Sequence, residues 1–351
     1  MKGFSIMLLF IAALDGIATF TANINKRDQN AVDIRDFHWP GDADWMRKIP
    51  DENFLFFIDA VVDILPQNFT NQFKKCHSTV FYGGDVKTIH INPKLVNVVL
   101  ERTSTKNVTI EGGRFYQLER LQCSETHLKS VPENINQLKK LKYLILTHNL
   151  IETVQLDLLN GLDNLIGILL YGNYIKHIYS HGLVSLPSLT SFHLQNNQMK
   201  HLDVCSWSMP SLFELLLAGN KLTHFAINHF SGLKRVTMAR NPINCAWENS
   251  LLLKDKSDIK FEDGLSCDKE SEGVFVLDCP SNFDSRLAVI EQTVLNNSQQ
   301  FAAINKKIQN IEELLKNLSG KVIEQRNVSN DIIEAFYRSE IERTSQTKRN
   351  T

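Results

Sequence analysis

The residues able to do chemistry are few and scattered. His177 and His181 stand four apart, a spacing that could present two imidazoles together, but they lie in a connection between apolar segments with no third ligand nearby. His148 and His193 fall two repeats apart in the pattern described below, roughly 10 Å at about 4.8 Å per strand, too far for one metal ion. No glycine-rich phosphate loop, nucleophile elbow, zinc-hydrolase helix or paired C-x-x-C occurs. The expectation is a chain without catalysis, cofactor or metal. Its 38 Lys+Arg against 39 Asp+Glu, net charge -1, also argue against a nucleic-acid or polybasic membrane partner.

Cysteine is the remaining reactive type. Six in 351 residues are too few to build a miniature disulfide fold, but the even number suits an oxidising compartment. The N-terminus points there too. Lys2, the apolar run Phe4 to Leu14 and the small-x-small triplet Gly16-Ile17-Ala18 read as a signal peptide cleaved after Ala18, with Thr21 or Ala22 as alternatives. That run is well short of the roughly 20 residues of a spanning helix, and no later stretch qualifies, so no membrane span is expected. Export makes five sequons usable, at Asn68, Asn107, Asn296, Asn317 and Asn327.

The elements that must position any surface come from an internal repeat. L-x-x-L-x-L-x-x-N-x-L, with some positions substituted, recurs from Leu118, Leu141, Leu165, Leu189, Leu212 and Leu233, at steps of 23, 24, 24, 23 and 21. A degenerate earlier copy begins at Leu95. This is the leucine-rich-repeat signature: L-x-L is a short strand in a parallel stack, and the Asn amide bonds backbone groups at the corner. The reading is an α/β solenoid, a leucine-rich-repeat horseshoe. Apolar residues from Phe54 to Leu65 follow i, i+3, i+4, i+7, i+8, i+11 up to Pro66, which predicts an N-terminal helical cap.

After Pro280 the composition changes, and residues 281 to 351 hold no Pro, no Cys and one Gly. A heptad register puts Leu287, Val294, Phe301, Ile308, Leu315 and Val322 at a, and Ile290, Ile304, Ile311 and Leu318 at d, an α-helical coiled coil. Asn297 and Gln325 at d, with Lys321 facing Arg326 across a parallel homodimer, favour a related but different chain over a simple homodimer. The division is a signal peptide at 1–18, an N-terminal capping region at 19–84, repeats at 85–243, a cysteine-bearing C-terminal cap at 244–282, coiled coil at 283–343 and a disordered tail at 344–351.

Repeat stacking creates an extended concave surface. The x of L-x-L supplies Ile145, Leu169, His193 and Leu216, and flanking columns add Tyr143, His148 and Tyr171, a candidate partner-binding patch.

The region from Asn241 through Cys245 and Trp247 to Cys267 and Cys279 resembles the C-terminal cap of extracellular leucine-rich repeats, with Trp247 where that cap has its second Cys. The resemblance implies a Cys245–Cys267 disulfide and leaves Cys279, eight residues before Leu287, as a candidate for an interchain disulfide or for pairing within the cap. Cys123 either packs as a core residue or pairs with Cys76, and the state of Cys205 is open. The order of signal peptide, short repeat stack, cap and coiled coil is similar to the mosquito leucine-rich immune proteins in their few-repeat form. That resemblance implies secretion into haemolymph, pairing with a related leucine-rich-repeat coiled-coil chain, and recognition of complement-like thioester-containing proteins in defence. A direct microbial pattern receptor and a developmental or matrix adhesion protein are the other classes the same architecture serves.

Overall fold

The L-x-L segments stack as the repeat requires. The computed structural model describes residues 20–253, 259–261, 267–268, 275, 277–279, 306–313 and 316. The chain divides into two units, one ending at Cys279 and one beginning at Pro280. The first is built on a 12-stranded sheet whose strands follow chain order. Its register links Ala31, Phe54, Ser78, Asn97, Arg120, Tyr143, Gly167, Ser191, Glu214, Arg235 and Lys260 in one parallel column. One position on, Leu121, Leu144, Ile168, Phe192, Leu215 and Val236 form the core column, each fully buried. Alternation along a strand therefore turns the intervening residues to the opposite, concave face.

The ladder begins far earlier than residue 85. Ala31–Arg35 already pairs in parallel with Phe54–Ile58, and Thr21–Ile24 closes the stack as an antiparallel hairpin strand. Phe20, buried, packs edge-on to Phe37 with ring centroids 5.5 Å apart. The helix expected over Phe54 to Leu65 is instead two strands, Phe54–Ile58 and Val61–Leu65. Asp59 turns the corner between them at φ 55, a left-handed conformation that no α-helix accommodates. The two strands joined by this corner bury Leu55, Phe57, Val62 and Leu65 on one side, whereas Phe54, Ile58 and Val61 of the helical set are partly or fully exposed. The N-terminal cap is thus a β-hairpin on the first repeats, and a lateral four-stranded sheet runs from His38–Trp39 through Val61–Leu65 and Asp85–His90 to Asn107–Thr109.

The corners are held by a ladder of buried asparagines. Asn173 Nδ2 donates to Leu146 O (2.8 Å) and Leu170 O (2.9 Å), while its Oδ1 accepts from Ile151 N (3.2 Å). Asn197 does the same with Leu170 O (3.1 Å), Leu194 O (3.0 Å) and Ile175 N (3.0 Å). Asn149, Asn220 and Asn241 repeat the pattern. Each amide bonds buried backbone groups of two successive repeats, and carbonyls such as Leu170 O and Leu194 O accept from the asparagines of two repeats at once. In the repeat from Leu95 the Asn position is Thr103, whose Oγ1 lies 2.8 Å from Thr105 Oγ1, and Thr105 Oγ1 donates to Val86 O (2.7 Å).

The C-terminal end departs from the expected cysteine scheme. Cys245 pairs with Cys267, Cα atoms 4.8 Å apart, as the cap resemblance implied. Cys279 is bonded within the chain to Cys205, 74 residues earlier, with Cα atoms 5.4 Å apart, so it is not available as an interchain link. The reason lies in the repeat between them. Asn228 N donates to Leu277 O (3.0 Å) and Asn228 Nδ2 to Asp278 Oδ1 (2.7 Å), which brings the segment before Cys279 against the repeat next to the one bearing Cys205. Trp247, in the α-helix Cys245–Leu253, fills the place of the missing cap cysteine: it is fully buried and donates from Nε1 to Phe225 O (3.1 Å). Cys76 and Cys123 are both free and buried, which decides against their pairing. Burial pushes the Cys76 thiol up to about 12 and the Cys123 thiol higher still, so both are inert at neutral pH.

In the second unit residues 306–313 are α-helical, with Ile308 47% and Ile311 56% exposed. The other seam positions, Leu287, Ile290, Val294, Phe301, Ile304, Leu315, Leu318 and Val322, lie outside the described residues, as do Asn296, Asn317 and Asn327. Among the described residues no helix is long and apolar enough to cross a membrane.

Candidate functional site

The concave face is made by the middle outward residue of each strand. Register places Asp33, Phe56, Val80, Val99, Gln122, Ile145, Leu169, His193, Leu216 and Thr237 in one column. Phe56, Val80, Val99, Ile145 and Leu169 are all partly exposed there, so the apolar stripe runs across the N-terminal half and is interrupted only by Gln122. Phe56, Val80 and Val99 escape a reading that takes 54–65 as helix and draws the concave column only from the repeats starting at Leu118. The signal that could reveal them is the alternation of Phe54-Leu55-Phe56-Phe57-Ile58 followed by an Asp corner one repeat step before Tyr82-Gly83.

Ile145 and Leu169 are adjacent on neighbouring strands, as expected, and Tyr143 stands beside them. Arg120 lies over the Tyr143 ring, 5.3 Å from its centroid. On the other side a Cβ at residue 167 would sit 3.2 Å from Tyr143 Cδ1, so Gly167 is the floor on which the ring rests. His148 is exposed at φ 53, in the corner column, with its ring edge-on to Tyr171 at 5.2 Å. The next corner in that column is Gly172, at φ 73, where a Cβ would meet His148 Nδ1 at 2.5 Å, so both backbone and space demand glycine. His148 and Tyr171 therefore edge the stripe rather than extend it.

Leu216 does not belong to the accessible patch. It is 8% exposed, and Glu214 and Thr237 beside it are buried as well. His193, half-buried, marks the boundary. Its Nε2 lies 3.2 Å from Glu214 Oε2, Ser191 Oγ donates to the same oxygen (3.3 Å), and Arg235 Nη1 lies 2.9 Å from Glu214 Oε1. This charged group consumes its own polar partners and closes the apolar stripe at one end. His181 is turned to Asp157, 3.2 Å from its Oδ2, and among the described residues no group of three or more His, Cys, Asp or Glu could hold a metal ion.

Parallel strands, asparagine corners and an alternating concave column together define the architecture. The fold is a leucine-rich-repeat solenoid. Residues 139–199 match the leucine rich repeat family. No curated protein matches the chain. Among solved structures, the LRIM1/APL1C complex is 14% identical, covering 93% of this chain and 79% of that one, with a TM-score of 0.48. The LRIM1 leucine-rich repeat domain is 15% identical over 78% of this chain and 98% of that one, at 0.49. The leucine-rich repeat domain of APL1B is 18% identical over 69% and 67%, at 0.45.

Proposed function

We propose that this leucine-rich-repeat protein is a secreted interaction protein of insect innate immunity. In this reading it pairs with a related chain through its C-terminal helix and uses the concave stripe to bind a complement-like thioester-containing protein. The observation that carries a binding role is the stripe itself: five partly exposed apolar side chains on one rigid parallel sheet, edged by tyrosines, form the kind of core around which protein interfaces are built. The immune context rests on the module order of signal peptide, repeats, cap and heptads. Ile308 and Ile311, exposed on one helix at the a and d spacing, support pairing through that helix.

The test is capture from haemolymph on immobilised protein, followed by cross-linking and mass spectrometry. Ile145→Lys with Leu169→Glu puts two mutually attracting charges on adjacent strands, so the fold tolerates them. Partner capture should fall at least about tenfold with the melting temperature within a few degrees of wild type. Capture unchanged in that variant would refute the stripe as the contact. A second reading, direct recognition of microbial glycans, is favoured by Tyr82, Tyr143 and Tyr171 along the same face. It requires the purified chain alone to bind bacterial surface sugars.

Secretion has its own check. Phe20 is buried on Phe37, and Thr21–Ile24 is paired with Val32–Arg35, so cleavage after Thr21 or Ala22 would strip residues from the N-terminal hairpin. N-terminal sequencing of protein from insect-cell medium should therefore read from Thr19. A start at Ala22, Asn23 or Met1 would contradict that assignment.

A further inference from the structure

The lateral four-stranded sheet stops at Asn107–Thr109, while a separate lateral pair, Thr153–Gln155 with His177–Tyr179, serves later repeats. The turn between them, around Ser130 to Asn134, forms no lateral strand, and Pro132 has no N–H with which to extend the ladder. A cleft of about 390 Å³ is left between this turn and the edge strand. Its walls carry the polar side chains Thr88, Lys106, Ser130 and Glu133 and the apolar Leu128 and Pro132. Asn134 fixes the far wall by donating from Nδ2 to Ile110 O (3.1 Å).

Asn107 itself lines this cleft. It opens the sequon Asn107-Val108-Thr109. Val108 is 7% exposed and faces the core, so Asn107, which is exposed, and Thr109 share the outer face of the strand. A polar cleft of this volume is in the roughly 300–1,000 Å³ range of small-molecule sites. It offers hydroxyl, ammonium and carboxylate partners for sugar hydroxyls, with Leu128 and Pro132 buried beneath them.

We propose that Asn107 carries an N-linked glycan whose first N-acetylglucosamine lies in this cleft and covers the open edge of the lateral sheet. The inference rests on the secretion reading above, which supplies the transferase and its lipid-diphosphate-linked oligosaccharide donor. In the transfer, Asn107 Nδ2 bonds to the anomeric carbon as the bond from that carbon to the diphosphate oxygen breaks. The lipid diphosphate leaves with the electron pair, and the amide proton passes to a base on the transferase. The seated sugar protects an edge that would otherwise be free to pair with another chain.

The test uses the full chain purified from insect-cell medium. Glycopeptide mass spectrometry gives occupancy, and hydrogen exchange over residues 128–134 is measured before and after enzymatic release of glycans under native conditions. The expected result is an occupied Asn107 and severalfold faster exchange in 128–134 after release, matched by Asn107→Gln without treatment. Occupancy at Asn68 with Asn107 unmodified would overturn the proposal while leaving secretion intact. An occupied Asn107 with unchanged exchange would overturn the seat in the cleft. Absence of sugar at all five sequons of the chain recovered from the medium would overturn this inference alone, and failure of the chain to reach the medium would overturn the secretion reading on which it rests.

Discussion

Asn197→Ala is expected to destabilise the solenoid by about 3 kcal/mol or more, although it removes only a side-chain amide. The amide donates to Leu170 O and Leu194 O and accepts from Ile175 N in a fully enclosed corner. Alanine leaves Ile175 N buried without its acceptor, at a cost of about 1–3 kcal/mol, and removes one of two donors from Leu170 O and from Leu194 O, which keep Asn173 Nδ2 and Asn220 Nδ2, at about 0.5–1.5 kcal/mol for each lost bond. Asn197→Asp should be no milder: the carboxylate can accept from Ile175 N, but it cannot donate to two carbonyls and brings a charge into the core. At about 2–4 °C per kcal/mol for a unit of this size, the melting temperature should fall by roughly 6–12 °C. Lys200→Ala, at an exposed position of the same repeat, should change stability by no more than about 0.5 kcal/mol. A shift for Asn197→Ala as small as that control would show that the ladder does not hold the repeats together.

The second large effect concerns the disulfide between Cys205 and Cys279. Replacing both by Ala opens a loop of 74 residues, for which chain entropy alone gives about 4 kcal/mol of destabilisation. Leu277 and the bond from Asn228 N to Leu277 O would then be held only by non-covalent contacts, so the end of the repeat unit should become the first part to exchange and to be cleaved. Wild-type protein should run as a single chain on a non-reducing gel and release two thiols on unfolding, those of Cys76 and Cys123. A covalent dimer that disappears in Cys279→Ser would instead restore that residue to an interchain role.

Pattern and partner are legible in the sequence to different degrees. The repeats from Leu118 to Ile243 could be read because each carries apolar core residues at fixed offsets, and all but the first carry the asparagine as well. The same register correctly turned Tyr143, Ile145 and Leu169 to the concave face. The N-terminal repeats were hidden because Ala60 and Gly84 stand where later repeats have the corner asparagine and their cores draw on Phe and Val. With that mark gone, an apolar run can satisfy a 3.6-residue and a two-residue period at once, and only pairing with neighbouring strands separates the two. Leu216 was misread for a related reason. Its outward direction is local, but its burial beside Glu214 and Thr237 is not.

The sequence by itself determined the repeat, its parallel register, the asparagine corners and the side of the sheet each residue faces, because these are set within a single turn of the chain or by a constant step to the next. Only the tertiary structure decided that 54–65 is two strands around a left-handed Asp59, that Cys279 meets Cys205, that the apolar stripe reaches back to Phe56, and that a cleft opens beside Asn107. Those outcomes depend on which distant segments come within hydrogen-bonding or bonding distance once the solenoid closes. Spacing along the chain carries no information about such encounters.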